Sequence, residues 1–232
     1  MNRMSPEVVA FDVNETLVSL EPVRDRLVEV GQPPHALEVF FARTLQHCFA
    51  LATLEQWRPF RDVARAALRQ STPLDDDAVD HVLGAFAELP PQPDVEPAFA
   101  QLAGAGVRIV TFSHGPVATA AAMLERTGLG RYVEAVLSSE AVQCFKPARA
   151  AYLYACATCR VPPERMALVA AHAWDCHGAR QAGLRTGWVS RLEGAVGAIY
   201  QPADVVGTTL TEVASGLLIK PPDARPPKAT VS

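Results

Sequence analysis

The sequence predicts an α/β fold: a doubly wound parallel sheet core with a helical cap subdomain inserted after the first strand. Three observations lead there. Short apolar, β-branched runs alternate with helical patterns through the second half of the chain, the rhythm of βαβ units joined by right-handed crossovers. These runs are continuously apolar, as expected of strands covered on both faces. Between the first run and the second, about ninety residues carry helical patterning and no strand.

The elements follow in order. Strands are expected at Val8–Phe11, Val107–Phe112, Ala135–Ser138, Met166–Ala171, Thr186–Val189 and Val205–Val206, each bounded by Gly, Pro or polar residues. Helical patterns at Ala36–Leu51, Pro59–Arg69 and Asp76–Phe86 fill the long first connection, and Pro90, Pro91, Pro93 and Pro97 mark its far boundary. Helices at Val117–Thr127, Arg149–Cys159 and Asp175–Ala182 separate the later strands. The chain therefore divides into a core of residues 1–16 and 95–218, a cap of residues 17–94 and a tail of residues 219–232. The tail is rich in proline and poor in apolar residues, which predicts disorder.

Composition narrows the function. The 232 residues carry 21 Lys+Arg against 25 Asp+Glu, a net charge of −4. No basic stripe exists to neutralise phosphates, which argues against a nucleic-acid partner. No apolar run approaches the roughly 18 residues a membrane span needs. The opening, MNRMSPEVVAFD, has no signal-peptide pattern. The five cysteines have no framework spacing, so reduced thiols in the cytoplasm are expected. Cys156-Ala-Thr-Cys159 lies mid-helix without a second ligand pair, so it reads as packing rather than a redox or zinc motif. No H-E-x-x-H, nucleophile elbow, P-loop or G-x-G-x-x-G appears.

Ligands of open, Rossmann-like sheets gather at the carboxyl ends of the strands. After the first strand come Asp12-Val13-Asn14-Glu15-Thr16, and after the second Ser113-His114-Gly115. Lys146-Pro147 follows the third, and the fourth ends in Ala170-Ala171-His172 with Trp174-Asp175 just beyond. An acid, a hydroxyl, an ammonium and a second acid converging on one point make an active-site pattern.

These segments, FDVNETL, VTFSHG, CFKPARAAY and LVAAHAWDCHGARQAG, resemble in order and spacing the four motifs of the haloacid dehalogenase superfamily, over about residues 7 to 206. That superfamily consists mostly of Mg²⁺-dependent phosphatases. A phosphatase needs an acid two residues after the nucleophile to protonate its alkoxide leaving group; here that position is Asn14. It also needs hard carboxylates for Mg²⁺, and the first acid of its fourth motif falls on Ala171. A halide leaves unprotonated and needs neither acid.

The chain is similar in particular to the L-2-haloacid dehalogenases (type II). Arg43 lies 31 residues past Asp12, Tyr152 six past Lys146, and a Trp174-Asp175 pair is present. The resemblance implies hydrolysis of short 2-haloalkanoic acids to 2-hydroxy acids through an ester on Asp12, with no metal and no cofactor. It also implies a homodimer. A small-molecule phosphatase, or a non-catalytic member that binds a metabolite, are the alternatives. In the implied scheme Asp12 attacks carbon, and Lys146 keeps it ionised. Asp175 fixes Lys146 and orients or deprotonates the hydrolytic water, and Thr16 and Ser113 donate hydrogen bonds. Arg43, Asn14, Tyr152 and Trp174 join the substrate and halide site. Phe41, Phe49 and Trp57 are aromatic candidates that read more readily as cap core.

The chain departs from the family where Ala170 and His172 stand for Ser and Asn, where His114 follows Ser113 in place of Asn, and where Asn14 replaces an aromatic. Imidazoles donate to a halide, orient water or act as bases near neutral pH. His114 and His172 are therefore expected to reshape the halide and water sites, which opens the range to smaller halides, fluoroacetate included.

Overall fold

The computed structural model describes residues 5–219; the predicted tail lies, but for Ile219, outside the described residues. Six parallel strands form one sheet: β1 (Val8–Phe11), β2 (Arg108–Ser113), β3 (Val133–Ser138), β4 (Met166–Ala170), β5 (Arg185–Val189) and β6 (Val205–Gly207), in the order β3-β2-β1-β4-β5-β6. β1 is fully enclosed, with Val8 opposite Arg108 on one side and Met166 on the other. Its alternation decides the two faces. Val9 and Phe11 enter one hydrophobic cluster, and Val8 and Ala10 enter a second.

Helices cover both faces, as a doubly wound sheet requires. α5 (Val95–Gly104), α6 (Val117–Thr127) and α9 (Leu210–Leu218) bury residues in the first cluster. α7 (Arg149–Cys159) and α8 (Ala173–Gln181) serve the second. α6 ends where Gly128 adopts φ +69°, a left-handed cap that glycine accepts without a Cβ penalty. The C-x-x-C lies in α7, where Cys156 and Cys159 are buried; burial pushes the Cys156 thiol up to about 12. All five cysteines are free.

Between β1 and α5 run α1 (Glu21–Glu29), α2 (Ala36–Thr53), α3 (Phe60–Ser71) and α4 (Asp76–Gly84). α2 packs along α3, and α1 and α4 close the group. The chain enters and leaves this helical group at one place. Gln92 N donates to Leu17 O at 2.8 Å and Ser19 N to Pro90 O at 2.9 Å. Among the described residues no helix is long and apolar enough to cross a membrane.

Three helices are absent from the sequence expectation: α1, α5 and α9. α5 begins before Pro97, whose missing N–H falls in the first turn, where no intrahelical partner exists. Reading that proline as punctuation hid the helix. α9 is short, but its start carries a capping signal: Thr209 Oγ1 accepts from Glu212 N at 3.2 Å.

Candidate active site

Asp12 is the first residue past β1, and its N–H still extends the ladder to Val169 O at 2.9 Å. The carboxylate thus stands at the carboxyl edge of the sheet, with β2 and β4 on either side. Thr16 lies on the next turn of the same loop. Its hydroxyl donates to Asp12 Oδ2 at 2.8 Å and accepts from Ala171 N at 2.9 Å, so it ties this loop to the end of β4. Lys146 Nζ donates to Asp12 Oδ1 at 2.8 Å, to Asp175 Oδ2 at 2.5 Å and to Phe112 O at 3.3 Å. Three donor protons meet three acceptors. Lys146 is 0% exposed and is one of the largest fully buried side chains.

Asp175, in the first turn of α8, is likewise fully buried. One oxygen accepts from Lys146; the other accepts from Tyr152 Oη at 2.7 Å. Tyr152 therefore lies beneath Asp175 rather than in the cleft. Burial works against the charge of Asp12, but Lys146 and His172 together hold its carboxyl well below the usual range. Burial also pushes the Asp175 carboxyl up, and Asp12 adds to this against the pull of Lys146. Burial opposes the charge on Lys146, yet its two carboxylates outweigh that and raise its pKa.

The two histidines differ. His114 is buried between Phe60 (stacked, 6.0 Å between ring centroids) and Trp174 (stacked, 6.2 Å), with Phe145 edge-on at 5.3 Å. Burial, with Lys146 adding to it, lowers its pKa to about 3, so it is neutral. His172 ends the β4 loop with Nε2 2.8 Å from Glu15 Oε2 and Nδ1 3.7 Å from Asp12 Oδ2. Burial opposes its charge, but these two carboxylates raise its pKa to about 10 and make it an imidazolium. Three buried ring nitrogens of the site, His114 Nε2, His172 Nδ1 and Trp174 Nε1, have no hydrogen-bond partner among the described residues.

The structure brings Asp12, Thr16, Lys146, Asp175, His172 and Trp174 together and sets Ser113 and His114 alongside. Ser113 Oγ donates to Gly115 O at 3.2 Å rather than to Asp12. Asn14 and Ser113 line a cavity of about 260 Å³ whose other walls include Val13, Phe60, Phe86 and Met123. Arg43 is not brought in: on α2, its guanidinium donates to Gln46 Oε1 at 3.1 Å, on the same helix. α2 instead directs Phe41 at His172, with ring centroids 6.1 Å apart, and Phe49 at Trp174, at 4.9 Å. Both phenylalanines, read from sequence as cap core, thus reach the site, as does Phe60; Trp57 packs among core residues. Glu15 was also missed. It has φ +62°, a left-handed conformation that costs a non-glycine residue roughly 1–2 kcal/mol, and it holds His172. Its only sequence signal is its place three residues after Asp12.

Known proteins share this architecture. The model of the haloacid dehalogenase-like hydrolases matches residues 6–183. The chain is 27% identical over 188 residues to (S)-2-haloacid dehalogenase 4A of Burkholderia cepacia, covering 78% of this chain and 81% of that protein. It is similar to the solved structure of the L-2-haloacid dehalogenase RSc1362, with a TM-score of 0.87 and 25% identity over 93% of this chain and 100% of that one. The L-2-haloacid dehalogenase of Xanthobacter autotrophicus, solved with chloropropionic acid covalently bound, superposes with a TM-score of 0.83 and 21% identity, covering 90% of this chain and 97% of that one.

Proposed function

The chain belongs to the haloacid dehalogenase-like hydrolases, and from that membership we propose that it hydrolyses short 2-haloalkanoic acids to 2-hydroxy acids through an ester on Asp12. The observation that carries this reading is the state of Asp12. It is an enclosed carboxylate held ionised by a buried ammonium at 2.8 Å and a hydroxyl at 2.8 Å, with an amide, Asn14, where phosphate-ester chemistry needs a proton donor. Such a group is a nucleophile ready for carbon. The relatives named (S)- and L-2-haloacid dehalogenases, and the one with chloropropionic acid covalently bound, support the substrate class and the covalent step.

In the first step an Asp12 oxygen attacks the halogen-bearing carbon, the C–O bond forms, and the carbon–halogen electron pair leaves with the halide. Trp174 Nε1 and His114 Nε2 are the donors proposed for that halide, since both are buried in the site without a protein partner among the described residues. The charges of Lys146 and His172 draw in the anionic acid, with Ser113 and Asn14 as its polar contacts. The cavity beside them accommodates its alkyl part. Tyr152 acts through Asp175, and Arg43 would reach the site only by leaving Gln46. In the second step water attacks the ester carbonyl and frees the hydroxy acid. Residues 17–94 form the cap of this cleft. A cytoplasmic homodimer agrees with the five free thiols and with the resemblance, respectively.

Halide release from both 2-chloropropionate enantiomers, chloroacetate and fluoroacetate, with EDTA present, tests the proposal beside D12N. Release that survives EDTA and vanishes in D12N is expected. No release from any of the four acids would overturn it.

A further inference from the structure

We infer that Glu15 and His172 form the proton-handling pair of the second half-reaction, with His172 Nδ1 as the base that activates the water attacking the ester on Asp12. The inference rests on the dehalogenase reading and concerns the base of its second step, a role that the family resemblance gives to Asp175.

The other candidate base is Asp175. It has no exposed surface, and both of its oxygens are engaged in fixing Lys146 and Tyr152. His172 is placed otherwise. Its Nε2 is anchored on Glu15 at 2.8 Å, which fixes the ring, and its Nδ1 faces Asp12 Oδ2 at 3.7 Å without a hydrogen-bond partner among the described residues. Nδ1 is buried against the Asp12 carboxyl group, so a water that it takes up during turnover would sit beside the ester carbonyl. Phe41 and Trp174 cover the ring, at 6.1 and 5.6 Å between centroids, and narrow the approach to that edge. The charged groups around it are Asp12 and Glu15 on its own side, Lys146 and Asp175 across the site, and Glu193, which accepts from Ala173 N at 2.9 Å. His114 beside it is neutral.

The pair changes state with the reaction. While Asp12 is an anion, His172 carries two ring protons, which suits a site that must receive an anionic acid. Ester formation consumes the Asp12 charge. Only Glu15 then holds the second proton, while burial still opposes the cation, and the Nδ1 proton leaves to solvent as the counterpart of the departing halide. Neutral His172 next takes a proton from water as the hydroxide oxygen bonds to the Asp12 carboxyl carbon. The tetrahedral adduct expels the hydroxy acid's alkoxide, which recovers that proton from Nδ1. Asp12 is left as a carboxylic acid and returns its proton to His172. The balance is water plus haloacid giving hydroxy acid, one proton and one halide. His172 is then a catalytic residue, and Glu15 a positioning residue.

The test is rapid mixing of enzyme with excess 2-chloropropionate, reading halide release and the intact mass of the protein in wild type, H172Q and E15Q. For H172Q one halide per active site is expected, then turnover at least ~100-fold below wild type, the usual contribution of a general base, with the ester mass accumulating on the peptide that carries Asp12. For E15Q a partial accumulation is expected, together with a fall of the acidic limb of the pH–rate profile to lower pH, because the imidazole loses the carboxylate that favours its cation. Turnover of H172Q within a few-fold of wild type and no trapped ester would overturn the inference. So would loss of the first halide along with the second step, which would place His172 in alkylation. If H172Q does not fold, E15Q decides: an unshifted profile and no ester refute the pair. No halide release even from wild type removes the dehalogenase reading itself, and with it this step.

Discussion

Replacing Lys146 by Met keeps an unbranched chain, one atom shorter, in a fully buried position and deletes its charge. The structure sets the magnitude. Lys146 Nζ is 2.8 Å from Asp12 Oδ1 and 2.5 Å from Asp175 Oδ2, with no exposed surface. At these separations and an effective dielectric near 20, each attraction is worth roughly 6 kcal/mol, largely offset by desolvation of the three ions. Deleting one partner removes the attraction and leaves the desolvation, so a destabilisation of about 3–5 kcal/mol is expected. Two buried carboxylates then face each other without a cation between them, and one must take up a proton near neutral pH. Asp175, already pushed up by burial, takes that proton, since His172 still faces Asp12. Asp12 loses the ammonium that fixes it, and a loss of about 4 kcal/mol of transition-state stabilisation corresponds to roughly a thousandfold in kcat/KM. Urea denaturation and halide release from 2-chloropropionate measure the two effects. Adding D175N to K146M should recover part of the stability, since it removes the acid–acid conflict, but not the activity. A K146M protein as stable as wild type, with kcat/KM within tenfold, would refute the reasoning.

Three further changes test other parts of the site. T16V removes a hydroxyl that donates to Asp12 Oδ2 and accepts from Ala171 N; the orphaned N–H should cost about 1–3 kcal/mol, read by thermal denaturation, and halide release should fall with it. G178A places a Cβ 2.6 Å from both Tyr152 Oη and Pro147 Cβ. The overpacking should cost about 1–3 kcal/mol and disturb the phenol that holds Asp175, so an unchanged midpoint with unchanged turnover would count against that contact. His172 has a folded-state pKa of about 10, above its ordinary 6.5. Its contribution is therefore fully present below pH 6.5 and is lost as pH rises through 10. The shift corresponds to roughly 5 kcal/mol, and the stability difference between wild type and H172Q should shrink across that window.

The core was legible because its strands are buried on both sides. VVAF, IVTF and MALVA have no polar face, and only a covered parallel sheet accepts such runs. Each strand end then placed a chemical group, so Asp12, Lys146 and Asp175 could be gathered from chain order alone. The same reasoning trimmed β3 to its apolar end: the strand begins at Val133 and includes the exposed Glu134. It also missed α1 and α9, nine residues each, which lie outside the helical stretches that the strand rhythm and the long first connection pointed to.

Side-chain direction on α2 was not legible, because spacing along a chain fixes a residue's height on a helix but not which neighbour it meets. At 3.6 residues per turn, positions two apart point about 200° from each other, whereas positions eight apart differ by about 80°. Phe41 and Phe49 therefore share the face that meets His172 and Trp174, and Arg43 points away from it toward Gln46. Counting residues from Asp12 chose the right helix and the wrong face. A site walled by Phe41, Phe49 and Phe60 needs its cations from the core, and the core supplies two of them, Lys146 and His172, each fixed by a carboxylate that is not the nucleophile. Glu15 matters for the same reason. Without it the His172 ring would have no partner but Asp12, an anion that the reaction consumes, and nothing would hold Nδ1 toward the ester.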